Sequence, residues 1–331
     1  MDNFAQSRLL GTFVVGSKKK NILSVSLSLV ITYLILLHLP WRFSYESASI
    51  YSLSFNRENP NRDQESPKSE EITSSLTPPS PHDPKKVAFL VETRPLPHLP
   101  ALFAHMTSIM PPEWTVKFMG SGMSIDFMRS SPTIARLESS SKLQIIPIPS
   151  NYSVTNRESI SQMFTDPHLY REILAPAEHL LVFQPDSILC ANSPATLNDF
   201  LHWDWIGAPW SKTATFGGNG GLSLRRVSKV LQVLDKEQRR DNDVALEDLW
   251  LSIRLARLAH ANMPHANTSK TFSVESVWDD TPLGYHIGWL GVHHEQIWDD
   301  PKQVDHILRY CPEVKLILGM KLDNDKPRGV S

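Results

Sequence analysis

The feature that most constrains this chain is an apolar run near its N-terminus, residues 22–39, which contains no Asp, Glu, Lys or Arg. At about 1.5 Å of rise per residue, a helix of this length would be roughly 27 Å long, close to the hydrocarbon thickness of a bilayer. A cleavable signal peptide has a shorter apolar region followed by small residues, whereas Pro40, Trp41 and Arg42 follow here. We therefore predict a transmembrane helix.

The charges that flank this run predict its orientation. Arg8 and the lysines at 18–20 precede it, whereas Arg42 stands almost alone after it. Because basic residues are retained on the cytoplasmic side, residues 1–21 are expected to form a cytoplasmic tail. Residues 22–39 would then be a type II signal anchor in the Golgi or endoplasmic reticulum membrane, with the rest of the chain luminal.

The composition changes after the apolar run. Residues 40–84 are rich in Ser, Pro, Glu and Asn and too poor in apolar residues to bury a core, which predicts a disordered stem. Residues 85–322 are long enough for one α/β domain, and 323–331 would form a C-terminal tail. Asn151 and Asn267 begin N-glycosylation triplets in this domain, although each triplet could equally be an unmodified loop.

Charge and cysteine content exclude several classes of protein. The formal net charge is −2 and no concentrated basic face is present, which argues against a nucleic-acid partner. Cys190 and Cys311 are the only cysteines, so a disulfide framework is excluded, while one bridge or two buried thiols are both open. The chain also lacks complete motifs for a nucleoside-triphosphate loop, a dinucleotide site, a zinc protease or a serine hydrolase.

Short apolar runs alternate with helical patterns inside the domain. Runs at 87–91, 114–118, 143–148 and 179–183 predict strands, and residues 98–110 predict a helix. This alternation predicts an α/β fold with a doubly wound, mainly parallel sheet. Ligands of such sheets bind beyond the carboxyl ends of the strands.

Polar residues follow the first and the fourth predicted strands. Glu92, Thr93 and Arg94 come after the first strand, and Asp186 and Ser187 come after the fourth. A carboxylate and an arginine at such a sheet edge suit a nucleotide diphosphate with a divalent cation. We therefore expect these residues to bind a nucleotide donor, although ordinary loop polarity gives a similar pattern.

Residues 203–226 contain three tryptophans, at 203, 205 and 210, followed by a glycine-rich loop at residues 216–221. A glycine backbone can approach a ligand closely, and indole rings suit the faces of sugars. A single tryptophan is more typical of a core, but the cluster beside the loop favours sugar binding. The candidates for acceptor or sugar binding are Trp205, Trp210, Gly218, Asn219, Gly220 and Gly221.

Two helices are predicted after this loop. Residues 227–234 carry an apolar stripe at helical spacing, and a second helix is expected to begin near Asp243 as its N-cap. Glu247 and Asp248 would lie in its first turn, where the helix dipole favours carboxylates. Its expected buried face consists of Leu246, Leu249, Trp250 and Ile253.

Over residues 87–322 the chain resembles an uncharacterised, glycosyltransferase-like family of fungal type II membrane proteins and bacterial relatives. The matching segments are Phe-Gln-Pro-Asp-Ser at 183–187, Asp-Trp-Ile-Gly-Ala-Pro-Trp at 204–210, Gly-Asn-Gly-Gly-Leu-Ser-Leu-Arg at 218–225, Glu-Asp at 247–248 and Pro-Leu-Gly-Tyr-His at 282–286. The resemblance implies a GT-A-like nucleotide-sugar fold, in which a glycine loop is followed by an acidic pair.

The resemblance also implies a hexosyltransferase that moves a sugar from a nucleotide-diphospho-sugar to a hydroxyl of a glycan, glycoprotein or glycolipid. Asp186 and His286 would bind Mn²⁺ or Mg²⁺. Glu247 or Asp248 would deprotonate the acceptor.

One departure from the family pattern concerns the metal. The metal motif has two aspartates separated by one residue, and Gln184 replaces the first, so metal dependence stays open. Gln184 also favours the alternative of a non-catalytic luminal sugar-binding or scaffold protein on the same fold.

Overall fold

The computed structural model describes residues 81–289, 292–293 and 295–318. The predicted cytoplasmic tail, the predicted membrane helix, almost all of the stem and the C-terminal tail lie outside these residues. Within the described ranges, no helix is long and apolar enough to cross a membrane.

Seven strands lie between Lys86 and Arg226, and six of them form the central sheet. Their bounds are β1 Lys86–Glu92, β2 Thr115–Gly120, β3 Leu143–Pro147, β4 His179–Phe183, β5 Ser187–Leu189, β6 Trp205–Gly207 and β7 Leu222–Arg226. All of these except β5 form a six-stranded sheet in the order β3-β2-β1-β4-β7-β6.

The sheet is mainly parallel, which confirms the prediction from the apolar runs. Strand β1 lies parallel to β2 and β4, and β2 lies parallel to β3. Strand β7 runs antiparallel to its neighbours β4 and β6. The sequence did not predict this antiparallel edge, since β7 falls inside the segment that we expected to be a loop.

Helices connect and cover these strands. They are α1 Leu99–Ile109, α2 Gly122–Arg129, α3 Pro132–Ser139, α4 Arg157–Phe164, α5 Val227–Leu234, α6 Glu247–Leu255, α7 Ala266–Phe272, α8 Glu295–Trp298 and α9 Pro301–Tyr310. Later short strands are β8 Ser273–Val274, β9 Gly284–His286, β10 Gly288–Trp289 and β11 Val292–His293. Strands β5, β9 and β8 form a small sheet in that order, and β10 pairs with β11.

The core lies on both faces of the central sheet. Successive β1 side chains alternate between two apolar clusters, with Ala88 and Leu90 in one and Val87 and Phe89 in the other. Apolar residues on both faces explain why the strand reads as a continuous apolar run rather than an alternating one.

Helix α6 begins later than predicted. Its first residue is Glu247 and its N-cap is Leu246, so the expected cap at Asp243 is wrong. The Asp243 carboxylate instead accepts a hydrogen bond from the Ala245 backbone N–H at 2.9 Å, which forms a turn before the helix.

The later start also changes which side of α6 is buried. Leu249 is 39% exposed, whereas Glu247 is turned into the protein. The expected burial of Leu249 is therefore wrong, Leu246 and Ile253 are half-buried, and Trp250 is buried as expected. The residues that are buried are Glu247, Trp250, Leu251, Ser252 and Leu255.

Cys190 and Cys311 form a disulfide, with Cα atoms 5.0 Å apart. Of the two possibilities that the sequence left open, the structure contains the bridge. It joins the residue after β5 to the residue after α9 across 121 positions of sequence.

Candidate active site

A cavity of about 250 Å³ lies at the carboxyl ends of β1 and β4, which is where the sheet topology places ligands. We call it the first cavity. It brings together residues that the sequence singled out in separate segments. These residues are Glu92, Arg94, Gln184, Asn219, Gly220, Gly221, Glu247, Asp248 and His286.

A larger cleft of about 620 Å³ lies near the start of β2 and β3, lined by Lys117 and Glu138 among others. It contains none of the predicted site residues. The chemistry expected from the sequence therefore belongs to the first cavity, although that cavity is smaller.

Two arginines give the first cavity its positive charge. Arg94 donates from Nε and Nη2 to the two carboxylate oxygens of Glu92, at 3.0 and 2.7 Å. Glu92 is 7% exposed, whereas the Arg94 side chain keeps 37% of its surface accessible. Glu92 thus orients the guanidinium, which reaches the ligand space. Arg157, at the start of α4, lines the same cavity and was missed because no motif contains it.

His286 lies between two buried carboxylates. Its Nε2 is 3.4 Å from Asp186 Oδ1, and its Nδ1 is 3.1 Å from Glu275 Oε1. Burial lowers the pKa of His286, but the carboxylates of Asp186 and Glu275 outweigh burial and raise the pKa to about 10. Glu275 was not predicted to be a site residue.

Asp186 and His286 are the residues that would hold a divalent cation, which would have to displace the proton that the raised pKa keeps on His286. The Asp186 side chain is only 2% exposed, and among the described residues its one partner is His286, in the ion pair at 3.4 Å. Buried carboxylate oxygens are normally paired, and a cation between Asp186 Oδ1 and His286 Nε2 would satisfy this one. Glu275 would then hold the other imidazole nitrogen, as a carboxylate does behind many metal-binding histidines.

The Gly221 backbone packs closely against this pair. A Cβ atom at Gly221 would lie 2.4 Å from His286 Nε2 and 2.8 Å from Gln184 Oε1. The side-chain oxygen of Gln184 and the imidazole therefore both lie against the Gly221 backbone. An amide oxygen is an acceptable ligand for a hard cation, so the Gln184 replacement does not remove oxygen from this place.

Asn219 connects the glycine-rich loop to the buried cluster. Its side-chain nitrogen donates to Glu275 Oε1 at 3.1 Å, and its side-chain oxygen accepts from the Gly221 N–H at 2.7 Å. Gly218, with φ of +138°, passes so close to Gly207 that a Cβ would lie 2.4 Å from the Gly207 carbonyl oxygen. Gly218 therefore shapes the loop rather than lining the first cavity.

The two residues of the acidic pair have different surroundings. Glu247 accepts two hydrogen bonds from Arg225, at 3.0 Å each. Arg225 is fully buried and lies over the rings of Trp205 and Phe164, at 4.1 and 5.0 Å from their centroids. Burial raises the pKa of Glu247 to about 6, and Arg225 opposes that shift. The Glu247 carboxylate is therefore committed to a structural ion pair.

Asp248 does not form such an ion pair with Arg225. Its two oxygens accept from the backbone N–H groups of Gly220, at 3.0 Å, and Leu249, at 2.7 Å. These bonds fix the carboxylate at the cavity wall. Burial raises the pKa of Asp248 above its ordinary value, which brings it closer to the pKa that a general base needs.

Six predicted ligand-binding residues do not line the first cavity, namely Thr93, Asp186, Ser187, Trp205, Trp210 and Gly218. Trp205 is fully buried and donates from Nε1 to the Gly218 carbonyl at 3.1 Å, so the expected sugar contact of this ring is wrong. Ser187 is also buried, and its hydroxyl donates to the Gln184 carbonyl at 2.9 Å in the turn after β4. The backbone carbonyl oxygen of Thr93 accepts a hydrogen bond from the Ser121 hydroxyl.

Residues 142–286 match the model of a family described as protein of unknown function (DUF5672). The matched range includes β4, the glycine-rich loop, the acidic pair and His286. No curated protein matches the chain.

Three solved glycosyltransferase structures are distantly similar to this fold. The mannosyltransferase PcManGT from Pyrobaculum calidifontis, solved with GDP-Man and Mn²⁺, is 11% identical, with a TM-score of 0.37 over 51% of this chain and 52% of that one. GlyE from Streptococcus pneumoniae is 12% identical, with a TM-score of 0.40 over 71% and 62%. The mannosyltransferase Ktr4p from S. cerevisiae is 9% identical, with a TM-score of 0.29 over 40% of each chain. The chain thus covers less than two thirds of each of these structures.

Proposed function

We propose that this chain is a glycosyltransferase that moves a sugar from a nucleotide-diphospho-sugar to a hydroxyl of a glycan or glycoconjugate. The observation that carries this proposal is the content of the first cavity. Arg94 and Arg157 provide positive charge, His286 lines the cavity and would hold a cation together with its buried partner Asp186, and Asp248 presents a carboxylate. A departing diphosphate needs the first two features and an attacking hydroxyl needs the third.

The donor diphosphate binds between the arginines and the glycine-rich loop. Arg94 is oriented by two hydrogen bonds to Glu92, which reduces the entropy lost when it grips a phosphate. Gly220 and Gly221 also line the cavity, so the phosphate oxygens can approach the loop backbone there. Asp186 and His286 would hold Mn²⁺ or Mg²⁺, and a bound ion supplies Lewis-acid stabilisation of the leaving diphosphate.

Asp248 is the general base of the proposed reaction. The acceptor oxygen attacks the anomeric carbon, the bond from that carbon to the diphosphate oxygen breaks, and the acceptor proton passes to Asp248. Glu247 is unsuited to this step because both of its oxygens accept hydrogen bonds from the buried Arg225. The family resemblance offered either acid, and the contacts favour Asp248.

The experiment is nucleotide release by the purified full-length chain across a panel of UDP- and GDP-sugars, with Mn²⁺, Mg²⁺ or chelator. Asp248→Asn is the test variant, and Asp126→Asn, at an exposed helix position, is its matched control. We expect release with one donor, retained in the control and reduced about 100-fold or more in Asp248→Asn. Nucleotide-dependent stabilisation without release would favour the sugar-binding alternative. If the chain shows no nucleotide release and no nucleotide-dependent stabilisation, both the transferase and the sugar-binding alternative are refuted.

We also propose that the chain acts in the secretory pathway, anchored by residues 22–39. The Cys190–Cys311 bridge supports this, because such bonds persist in oxidising compartments. Asn151 and Asn267 are both exposed and so accessible to glycosylation. Treatment of the cellular protein with peptide N-glycosidase should increase its mobility, and Asn→Gln changes at both sites should remove the shift. An unmodified protein that lies in the cytosol would contradict this localisation.

A further inference from the structure

A second cavity of about 550 Å³ adjoins the first. Asn219, Leu246 and Asp248 line both cavities, so the Asp248 carboxylate stands between them. A base at this position can take a proton from a hydroxyl in the second cavity while the donor occupies the first. The volume is within the range of small-ligand sites and is large enough for a sugar ring.

The two cavities differ in charge. In the first cavity, Arg94 and Arg157 lie beside the acids Glu92, Glu247 and Asp248, whereas the charged residues that line the second cavity are both acids, Asp248 and Glu275. Among the described residues, no lysine or arginine contributes to the second lining. An anionic ligand would therefore find basic partners in the first cavity, whereas in the second it would face carboxylates without them.

The second cavity also has an apolar side. Its lining includes Trp210, Val244 and Leu249, of which Val244 is fully exposed and Leu249 is 39% exposed. Apolar side chains left open beside a polar group are typical of a surface that a ligand covers. A sugar ring matches this combination, because its C–H face can pack on the indole while its hydroxyl groups face the acids.

Gly217 fixes the position of the Trp210 ring. A Cβ at Gly217 would lie 2.6 Å from Trp210 Cζ3, and the φ of +82° at Gly217 is one that other residues rarely adopt. The ring thus packs directly on the backbone of the glycine-rich loop. Trp210 is held in place before any ligand arrives, which reduces the entropic cost of binding.

We infer that the second cavity binds the acceptor and that this acceptor is an uncharged saccharide, packed on Trp210 with a hydroxyl directed at Asp248. This inference rests on the proposed function and deepens it by naming the class of acceptor. Acceptors that carry a phosphate or carboxylate on the reacting sugar are excluded by Asp248 and Glu275.

The test is direct binding, which does not depend on turnover. Saturation-transfer NMR on the purified full-length chain would compare methyl glycosides of glucose, galactose and mannose with the methyl glycosides of the matching uronic acids. Each pair differs mainly by one carboxylate. We expect a neutral glycoside to bind and its uronic counterpart to bind about tenfold or more weakly. Trp210→Ala should weaken the neutral ligand about tenfold, while Trp210→Phe keeps most of the affinity.

The control is Trp278→Ala, a half-buried tryptophan that does not line the second cavity and should leave binding unchanged. Equal or tighter binding of the uronides, unchanged binding in Trp210→Ala, or no binding of any neutral glycoside would overturn the inference. Nucleotide-sugar binding is measured on the same samples. If neutral glycosides bind through Trp210 but no nucleotide sugar binds, the saccharide site is supported and the transferase function is refuted.

Discussion

Arg225 determines how the two adjacent acids divide their tasks. Its guanidinium is fully buried and its charge is compensated by Glu247. The same arginine lies against Trp205, which is why that tryptophan belongs to the core. Asp248, one residue later, is left for the ligand.

Glu247→Gln should therefore reduce stability, whereas Asp248→Asn should reduce turnover. Removing one partner of a buried ion pair leaves the other charge uncompensated and costs about 3–5 kcal/mol. We expect the free energy of unfolding in urea to fall by that amount in Glu247→Gln and by less than about 1 kcal/mol in Asp248→Asn. An equal loss of unfolding free energy in the two variants would contradict a structural role for Glu247 and a catalytic role for Asp248.

Glu275 is the positioning residue for the proposed metal site. Because it faces His286 Nδ1 and accepts a hydrogen bond from Asn219, its replacement should misorient the imidazole. We expect Glu275→Gln to weaken Mn²⁺ binding in the presence of nucleoside diphosphate about 10- to 100-fold, measured by calorimetry. Glu172→Gln, at an exposed position, is the control. Unchanged affinity in Glu275→Gln would show that this carboxylate plays no part.

Among the strands and helices, the patterns of apolar residues predicted those whose packing is visible in the local sequence. Strand β4 spans the predicted residues, and β1 extends the predicted run by one residue at each end. Strand β7 was missed because the buried Ser223 and Arg225 interrupt its apolar pattern. Arg225 is buried because Glu247, far along the chain, neutralises it, and such a pairing is invisible to local spacing. Glu275 was missed for the same reason, since its partners come from distant segments.

The segment that leads into α6 depends on Arg239. This side chain is 1% exposed and forms two hydrogen bonds with Glu158, at 2.9 and 2.7 Å. It also donates to the carbonyls of Asp243 and Ala245, at 2.9 and 3.0 Å. Arg239 thus joins α4 to the turn before Asp248, which positions the proposed base from outside the cavity.

This pair makes stability depend on pH. The Arg239 guanidinium lowers the pKa of Glu158 from 4.5 to about 2. Because the folded pKa lies below the ordinary value, the contribution is complete above pH 4.5 and is lost as the pH falls toward 2. We expect Glu158→Gln to cost about 1–2 kcal/mol at pH 7, since its side chain is 25% exposed. That cost should shrink at pH 3 in urea unfolding. A cost independent of pH would contradict the assignment.

At the scale of the whole molecule, the disulfide joins distant parts of the domain. A bridge across 121 residues restricts the unfolded chain, and the chain-entropy model gives about 4–5 kcal/mol of stabilisation. We expect the double change of Cys190 and Cys311 to Ser to lower the midpoint of urea unfolding, and reductant to have the same effect on the wild type but none on the variant. A midpoint that the double change leaves unaltered would contradict this role.

Sugar transfer itself can be measured by mass spectrometry of the product. The full-length chain would be incubated with a nucleotide sugar that it releases and with the neutral glycoside that it binds. We expect a glycoside that is one sugar unit heavier, formed by the wild type and by Asp126→Asn but not by Asp248→Asn. Nucleotide and glycoside binding without this product in the wild type would contradict the account and identify a binding protein.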